Sequence, residues 1–192
     1  LLNKGSEVNP DQIITELGLP LFVKPNASGS SFGVTKVKTP EELLPAIQEA
    51  FKESDQVLME EFIEGREISC GVMIAEGKEY VFPITELVSQ KEFFDYEAKY
   101  QGLSHEITPA DLPDAVRKEV NRLTLIAYKR LNCRGVVRID FIIKGDTPYM
   151  IEINTIPGMS AGSIVPKQVR AAGMTLGELY DLIIADTCGR KP

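Results

Sequence analysis

An α+β fold in two consecutive units is what the sequence predicts, and three observations predict it. Residues 21–63 run strand, loop, strand, helix, strand behind a short leading helix. A second strand pair opens directly afterwards, with Ile68, Cys70, Val72 and Ile74 in alternation. A long amphipathic helix then hands over to a hairpin, residues 136–154, that is apolar on one face and ionic on the other.

Taken in order, Leu1 and Leu2 read as the end of a strand, and the lack of an initiator Met suggests a trimmed chain. Asn9 is a plausible N-cap with Pro10 at the first helical position and Gly18 closing the helix. Leu21–Lys24 is a strand ending at Pro25, and the loop NASGSSFG (26–33) leads into a strand at Val34–Lys38. A Ser/Gly hairpin tip of this kind can wrap phosphates with amides and hydroxyls, or be a plain solvent turn. Lys24 tips the balance towards an anion, since a lysine within LFVKP is expensive to bury alone. Thr39, Pro40 and Glu42 start the next helix with a capping box, Pro45 is expected to distort it locally, and Gln56–Ile63 is strand-like. These pieces form a first unit, residues 1–69.

The second unit, residues 70–192, continues with a turn at Glu76–Lys78 and a return strand at Tyr80–Val88. Residues 89–110 lack a sustained period, and the aromatic, charged core FFDYEAKYQG marks a lid over a site. Leu112–Leu131 is the longest helix, facing Val116, Val120, Leu123, Ile126, Ala127 and Leu131 inward. Ser163 reads as an N-cap, and Thr175 with Glu178 as the capping box of the last helix.

The hairpin carries the chemistry. Arg138 and Asp140 share one face of its first arm, and Glu152 and Asn154 share one face of the second. Two carboxylates on a core-grade hairpin repel unless a cation sits between them. Asp, Glu and Asn offer only oxygen, the ligand set of Mg²⁺ rather than zinc. Asp140 and Glu152 face the same side only if paired residue numbers sum to an even value. A plain turn at Lys144–Thr147 gives an odd sum, so an odd-length loop or a bulge is expected.

Composition limits the alternatives. The 43% hydrophobic and 26% charged content is that of a soluble globular protein. Lys and Arg number 21 against 28 Asp and Glu, a net charge of −7, which argues against a nucleic-acid surface. No apolar run is long enough for a membrane span and no export sequence opens the chain, so a cytoplasmic protein is expected. Cys70, Cys133 and Cys188 are expected to be buried free thiols. His105, the sole histidine, has no second His or Cys near it and is not expected to bind metal.

Five segments in order, LPLFVKPNASGSSFGV, VLMEEFIEGREI, FFDYEAKY, GVVRIDF and IEINTIPGMSAGSIVP, resemble the ATP-grasp part of the D-alanine–D-alanine ligases over essentially the whole chain. The resemblance implies an ATP-grasp fold, a central and a C-terminal subdomain with the nucleotide site between them and no N-terminal domain. It implies ATP, two Mg²⁺ ions with Mn²⁺ as an alternative, and D-alanine joined through an acyl phosphate for peptidoglycan synthesis. On matching motifs, Lys24, Ser31 and Lys99 contact ATP phosphates, Glu60, Glu61, Phe62 and Ile63 border adenine, and Glu67 holds the ribose. Asp140, Glu152 and Asn154 ligate the metal, while Arg138 and the Gly158 amide stabilise transition-state charge. Ser163, with Gly158 and Lys99, meets the substrates. Ser30 bonds Tyr100 as the lid closes, and Tyr100 goes with D-alanine as second substrate. Little activity is expected of this chain by itself, and a homodimer is left open for the full-length protein. Rival readings are an ATP-grasp ligase for another carboxylate and acceptor, and a nucleotide-binding module without turnover.

Overall fold

A computed structural model describes residues 1–29, 32–89 and 104–189. Among these, Leu1–Ile63 form one compact unit and the residues from Glu64 onward form a second. The boundary therefore falls ahead of the Ser69 expected from sequence. The reason is that Arg66–Ala75 is one uninterrupted strand of the second sheet.

The first unit contains β1 (Leu2–Asn3), α1 (Pro10–Leu17), β2 (Leu21–Pro25), β3 (Thr35–Val37), α2 (Pro40–Glu53) and β4 (Gln56–Glu61). Its antiparallel sheet runs β1-β4-β2-β3. The expected caps are present: the Asn9 side chain accepts from the Gln12 N–H at 3.1 Å, and the Glu42 carboxylate accepts from the Thr39 N–H at 3.3 Å. Pro45 lies inside α2 without ending it. Leu43, Ile47 and Ala50 of α2 pack on Leu21, Val23 and Val57, all buried.

The second unit contains β5 (Arg66–Ala75), β6 (Lys78–Val81), β7 (Thr85–Ser89), β8 (Ser104–Ile107), α3 (Asp114–Arg130), β9 (Val136–Lys144), β10 (Thr147–Asn154), α4 (Ile164–Ala171) and α5 (Leu176–Gly189). The sheet order is β10-β9-β5-β7-β8, with β6 also paired to β5. Four expectations are corrected. The return strand is split around Pro83, so that β6 pairs with Val72–Ala75 and β7 with Glu67–Ser69; proline brings no N–H to a ladder. The stretch read as aperiodic contains β8, too short to show a period. The buried stripe of α3 is Val116, Val120, Thr124 and Tyr128, while Ile126 and Leu131 face solvent. Of the three thiols only Cys70 is buried; Cys133 is half-buried and Cys188 exposed. Burial pushes the Cys70 thiol up to about 12, so it stays protonated and inert.

The two faces of this sheet differ in kind. Ile68, Cys70, Val72, Ile139 and Phe141 lie on α3 as the larger core. The opposite face of β5 presents Glu67, Ser69, Gly71 and Met73 in alternation; Met73 is covered by Val165 and Val169 of α4 and Leu179 of α5. Among the described residues no helix is long and apolar enough to cross a membrane.

Gly65 fixes how the second unit begins. A Cβ there would lie 2.3 Å from the Ile143 carbonyl oxygen and 2.8 Å from Ile142 Cγ2. Gly65→Ala is expected to destabilise the second unit by about 3 kcal/mol, the upper range for overpacking. Urea unfolding followed by circular dichroism measures it, and a change below about 0.5 kcal/mol would refute this close approach.

Candidate active site

The site is built on β9 and β10. A two-residue turn at Gly145 and Asp146 joins them, Gly145 supplying a φ of 61°. This turn sets Thr147 opposite Lys144 and Met150 opposite Phe141, the odd sum that would send Glu152 into the core. A bulge between Met150 and Glu152 resets the register. Beyond it Glu152 opposes Asp140 and Asn154 opposes Arg138, so all four of these polar side chains share a face. The device is thus the bulge and not an odd-length loop.

Asp140 is the centre of this face, only 6% exposed. Its Oδ1 accepts from Ser69 Oγ at 2.6 Å and Arg138 Nε at 2.9 Å. Its Oδ2 accepts from Arg138 Nη2 at 2.8 Å and Asn154 Nδ2 at 3.0 Å. Those bonds fill about four lone-pair sites, the full capacity of a carboxylate. Burial acts to lower the Arg138 pKa, but the hydrogen bonds and charge of Asp140, joined by the charges of Glu152 and Glu67, outweigh it and raise it. The guanidinium is held permanently charged.

The donor set passes a chemical test for a hard divalent cation. Asp140, Glu152 and Asn154 adjoin one another, the only metal-ligating atoms their side chains have are oxygens, and Glu152 is exposed to solvent. The Asn154 amide turns its Nδ2 to both carboxylates, reaching Glu152 Oε1 at 3.2 Å. Rotating that amide by half a turn would replace a donor with an acceptor in the same place.

Past β10 the chain turns through Gly158 to Ser163, the residue preceding α4. Ser163 occupies the N-cap position, yet its hydroxyl makes no cap bond and pairs with Ser160 Oγ at 2.8 Å. A Cβ on Gly158 would lie 2.9 Å from Ser163 Oγ, so the glycine keeps this hydroxyl accessible. Arg170 Nη2 donates to the Ala161 carbonyl at 2.7 Å and ties the turn to its own helix.

In the first unit, Lys24 is ion-paired with Glu60 at 2.5 Å, which supplies the anion its burial requires. Phe62 packs on Phe22 with ring centroids 6.0 Å apart and receives Lys36 Nζ 3.7 Å from its ring centre. Glu61 is exposed and Ile63 half-buried. Glu67 lies in the second unit, on the same face of β5 as Ser69. Ser30, Ser31, Lys99 and Tyr100 lie outside the described residues.

Sequence reasoning missed Ser69, the buried donor to Asp140, and Gln168 of α4, whose Nε2 donates to the Ser69 carbonyl at 2.8 Å. The polar alternation of Glu67 and Ser69 against Ile68 and Cys70 was the signal for the first. It also missed Lys167 of α4, which pairs with Glu106 of β8 at 2.8 Å.

Residues 2–185 match the family model described as "D-ala D-ala ligase C-terminus". The chain belongs to the D-alanine–D-alanine ligase family. The D-alanine–D-alanine ligase of Phocaeicola vulgatus is 54% identical over 96% of this chain and 57% of its own length. That of Flavobacterium johnsoniae is 49% identical over 93% and 55%. The D-alanine–D-alanine ligase of Bacillus anthracis, solved in complex with ATP, superposes with a TM-score of 0.81 at 34% identity, covering 98% of this chain and 58% of that one. The D-Ala:D-Ser ligase VanG of Enterococcus faecalis superposes at 0.79 with 33% identity, over 91% and 51%. The chain thus spans less than two thirds of these D-alanine–D-alanine ligases and their relative, with the same mixed α+β fold, which identifies it as ATP-grasp.

Deleting Ile153 from this ligase-family hairpin would leave one residue too few between Glu152 and Asn154, so that one of the two must turn toward Ile139 and the α3 core. The expected cost is about 3 kcal/mol or more, from burying unpaired polar groups. Deleting Ile151 instead removes only the extra residue of the bulge, keeps Glu152 opposite Asp140 and Asn154 opposite Arg138, and should cost under about 1.5 kcal/mol at this exposed position. Equal stability of the two variants in denaturant titrations would refute the register assignment.

Proposed function

We propose that the chain carries the nucleotide, metal and acceptor sites of an enzyme that joins two D-alanines at the expense of ATP. The observation that carries this reading is the bulge, which brings Asp140, Glu152, Asn154 and Arg138 onto one face. The family supports the substrate class. In the reaction, one D-alanine carboxylate attacks the γ-phosphorus and ADP leaves, giving an acyl phosphate. The amine of a second D-alanine then attacks the acyl carbon, inorganic phosphate departs, and the amine gives up its proton.

Asp140, Glu152 and Asn154 are the residues that would hold Mg²⁺, with Mn²⁺ an alternative. When bound, the cation supplies neutralisation of charge on phosphate oxygens. Arg138, fixed and permanently charged, stabilises negative charge that grows on the transferred phosphoryl group and the tetrahedral oxygen. Lys24 exchanges Glu60 for a phosphate of ATP, while Glu67 holds the ribose and residues 60–63 border adenine. The Gly158 amide faces the reacting oxygen and the Ser163 hydroxyl takes the acceptor carboxylate. Ser31 and Lys99 contact the nucleotide phosphates, and Ser30 bonds Tyr100.

The test is release of ADP by the complete gene product, with D-alanine, D-serine or D-lactate as acceptor and with or without magnesium. ADP release stimulated by D-alanine and abolished by EDTA is expected; no stimulation by any acceptor would leave only a nucleotide-binding module. Asp140→Asn and Glu152→Gln should each lower the D-alanine-dependent rate at least about a hundredfold, the scale of losing one charge-stabilising group. A rate within threefold of the parent would exclude that residue from the site.

Asn154→Asp tests the metal set by a second readout. It exchanges the amide donor for a third negative charge beside Asp140 and Glu152. Without metal its melting temperature should fall by several degrees, corresponding to about 1–3 kcal/mol. Millimolar magnesium should restore more of the loss in this variant than it adds to the parent. A melting temperature insensitive to magnesium in both proteins would overturn the assignment.

A further inference from the structure

Gln168 lies in the middle of α4 and is completely buried. Its Nε2 donates to the Ser69 carbonyl at 2.8 Å, which fixes the orientation of the amide. Its Oε1, also shielded from solvent, has no hydrogen-bond partner among the described residues. An acceptor left in this way bears its desolvation cost without return, and an apolar side chain of similar volume would avoid that cost.

The position of this oxygen is informative. It lies 2.6 Å from where a Cβ on Gly71 would be, so the glycine is what admits Gln168 to the sheet face. Gly71 is paired with Arg138 across β5 and β9, and paired Cβ positions lie about 4.5–5.5 Å apart on one face. The unused acceptor therefore lies on the same face of the β5–β9 strand pair as the Arg138 side chain. Arg138 spends Nε and Nη2 on Asp140, whose lone pairs are fully occupied. A cation drawing on Asp140 must displace some of these bonds, and it also repels the guanidinium.

We propose that Gln168 is a positioning residue for Arg138: its Oε1 accepts from the guanidinium once a divalent cation takes Asp140. The inference rests on the metal reading given above. Arg138 then keeps one N–H anchored on Gln168 while its others face the bound anion. Because Nε2 holds Ser69 and Ser69 Oγ holds Asp140, the same side chain supports both members of the ion pair. It also does so from the helix that begins at Ser163, which links the acceptor turn to the metal face.

The experiment is calorimetric titration of the complete gene product with ADP, with and without magnesium, for the parent, Gln168→Met, Arg138→Met and the double variant. Gln168→Met should weaken magnesium-dependent ADP binding about tenfold, the scale for residues supporting metal ligands, and leave metal-free ADP binding unchanged. In the Arg138→Met background the same change should cost less than twofold. An undiminished affinity in Gln168→Met, or an equal penalty in both backgrounds, would overturn the role through Arg138. Absence of any magnesium effect in the parent would instead overturn the metal reading and this inference with it. If Gln168→Met does not melt cooperatively, crystals of the parent with magnesium and ADP decide. A guanidinium nitrogen within about 3.2 Å of Gln168 Oε1 is expected, and Arg138 still bidentate on Asp140 would refute it.

Discussion

A carboxylate buried to the extent of Asp140 must be fully compensated, and much of the second unit follows from that requirement. Desolvating a carboxylate costs several kcal/mol, recovered only when its lone pairs are all met in good geometry. Arg138 alone cannot meet them, because its fork uses one lone pair on each oxygen. The remaining two are met from different strands, by Ser69 on β5 and Asn154 on β10. Three adjacent strands are thereby pinned in register at one residue, in addition to their ladders. A slip of either neighbouring strand by one residue would carry its donor to the apolar face.

The same sheet has to be a packing surface and a polar site at once. On the α3 side the requirement is ordinary: β-branched and aromatic side chains interlock with a helix. On the other side the apolar cover from α4 and α5 is confined to the Met73 and Ala75 end of β5. The remainder is left to Glu67, Ser69, Asp140 and their neighbours. The helices thus cover one end of this face, while the other end carries the ionic cluster. Gln168 stands at the border between the two regimes, on the helix that packs Val165 and Val169 but bonded to Ser69.

How much of this was legible in the sequence depends on whether the signal was local. Helix starts at Asn9, Thr39 and Thr175 were legible because a cap is a contact between residues three apart. The ionic face was legible because alternation is a period of two, and parity even required a bulge or an odd loop. Which of the two occurred was not, since Gly145 makes a two-residue turn favourable and the correction is deferred to Ile151. The split at Pro83 was underweighted, although proline is a direct signal against a continuous ladder. Ile126 and Leu131 were assigned inward because apolar residues resemble core, whereas the buried stripe accommodates Thr124 and Tyr128. Tyr128 earns its place through a partner out of local view, the Gly135 carbonyl at 2.8 Å. Contacts such as Gln168 with Ser69 join residues far apart in sequence and leave no local trace.

The presence of an asparagine beside Asp140 and Glu152 can be argued from charge and from hydrogen-bonding capacity. Arg138 offsets only one of the carboxylate charges of Asp140, Glu152 and Glu67, so the cluster stays net negative before any cation arrives. A further carboxylate would add repulsion that nothing nearby offsets, and as an acceptor it could not bond to Asp140 or Glu152. An aliphatic residue would leave Asp140 one hydrogen bond short. The amide meets both conditions because it is a donor at one end and an acceptor at the other. With Nδ2 forward it fills the last lone pair on Asp140 and reaches Glu152, which is the arrangement found. With Oδ1 forward it becomes a neutral ligand. The change needs only a side-chain rotation, with the Asn154–Arg138 backbone register left as it is. Under the proposed metal reading, a site that stays folded when empty and binds a cation without refolding has few side chains to choose from at this position, and asparagine is the one of suitable length for a cross-strand neighbour.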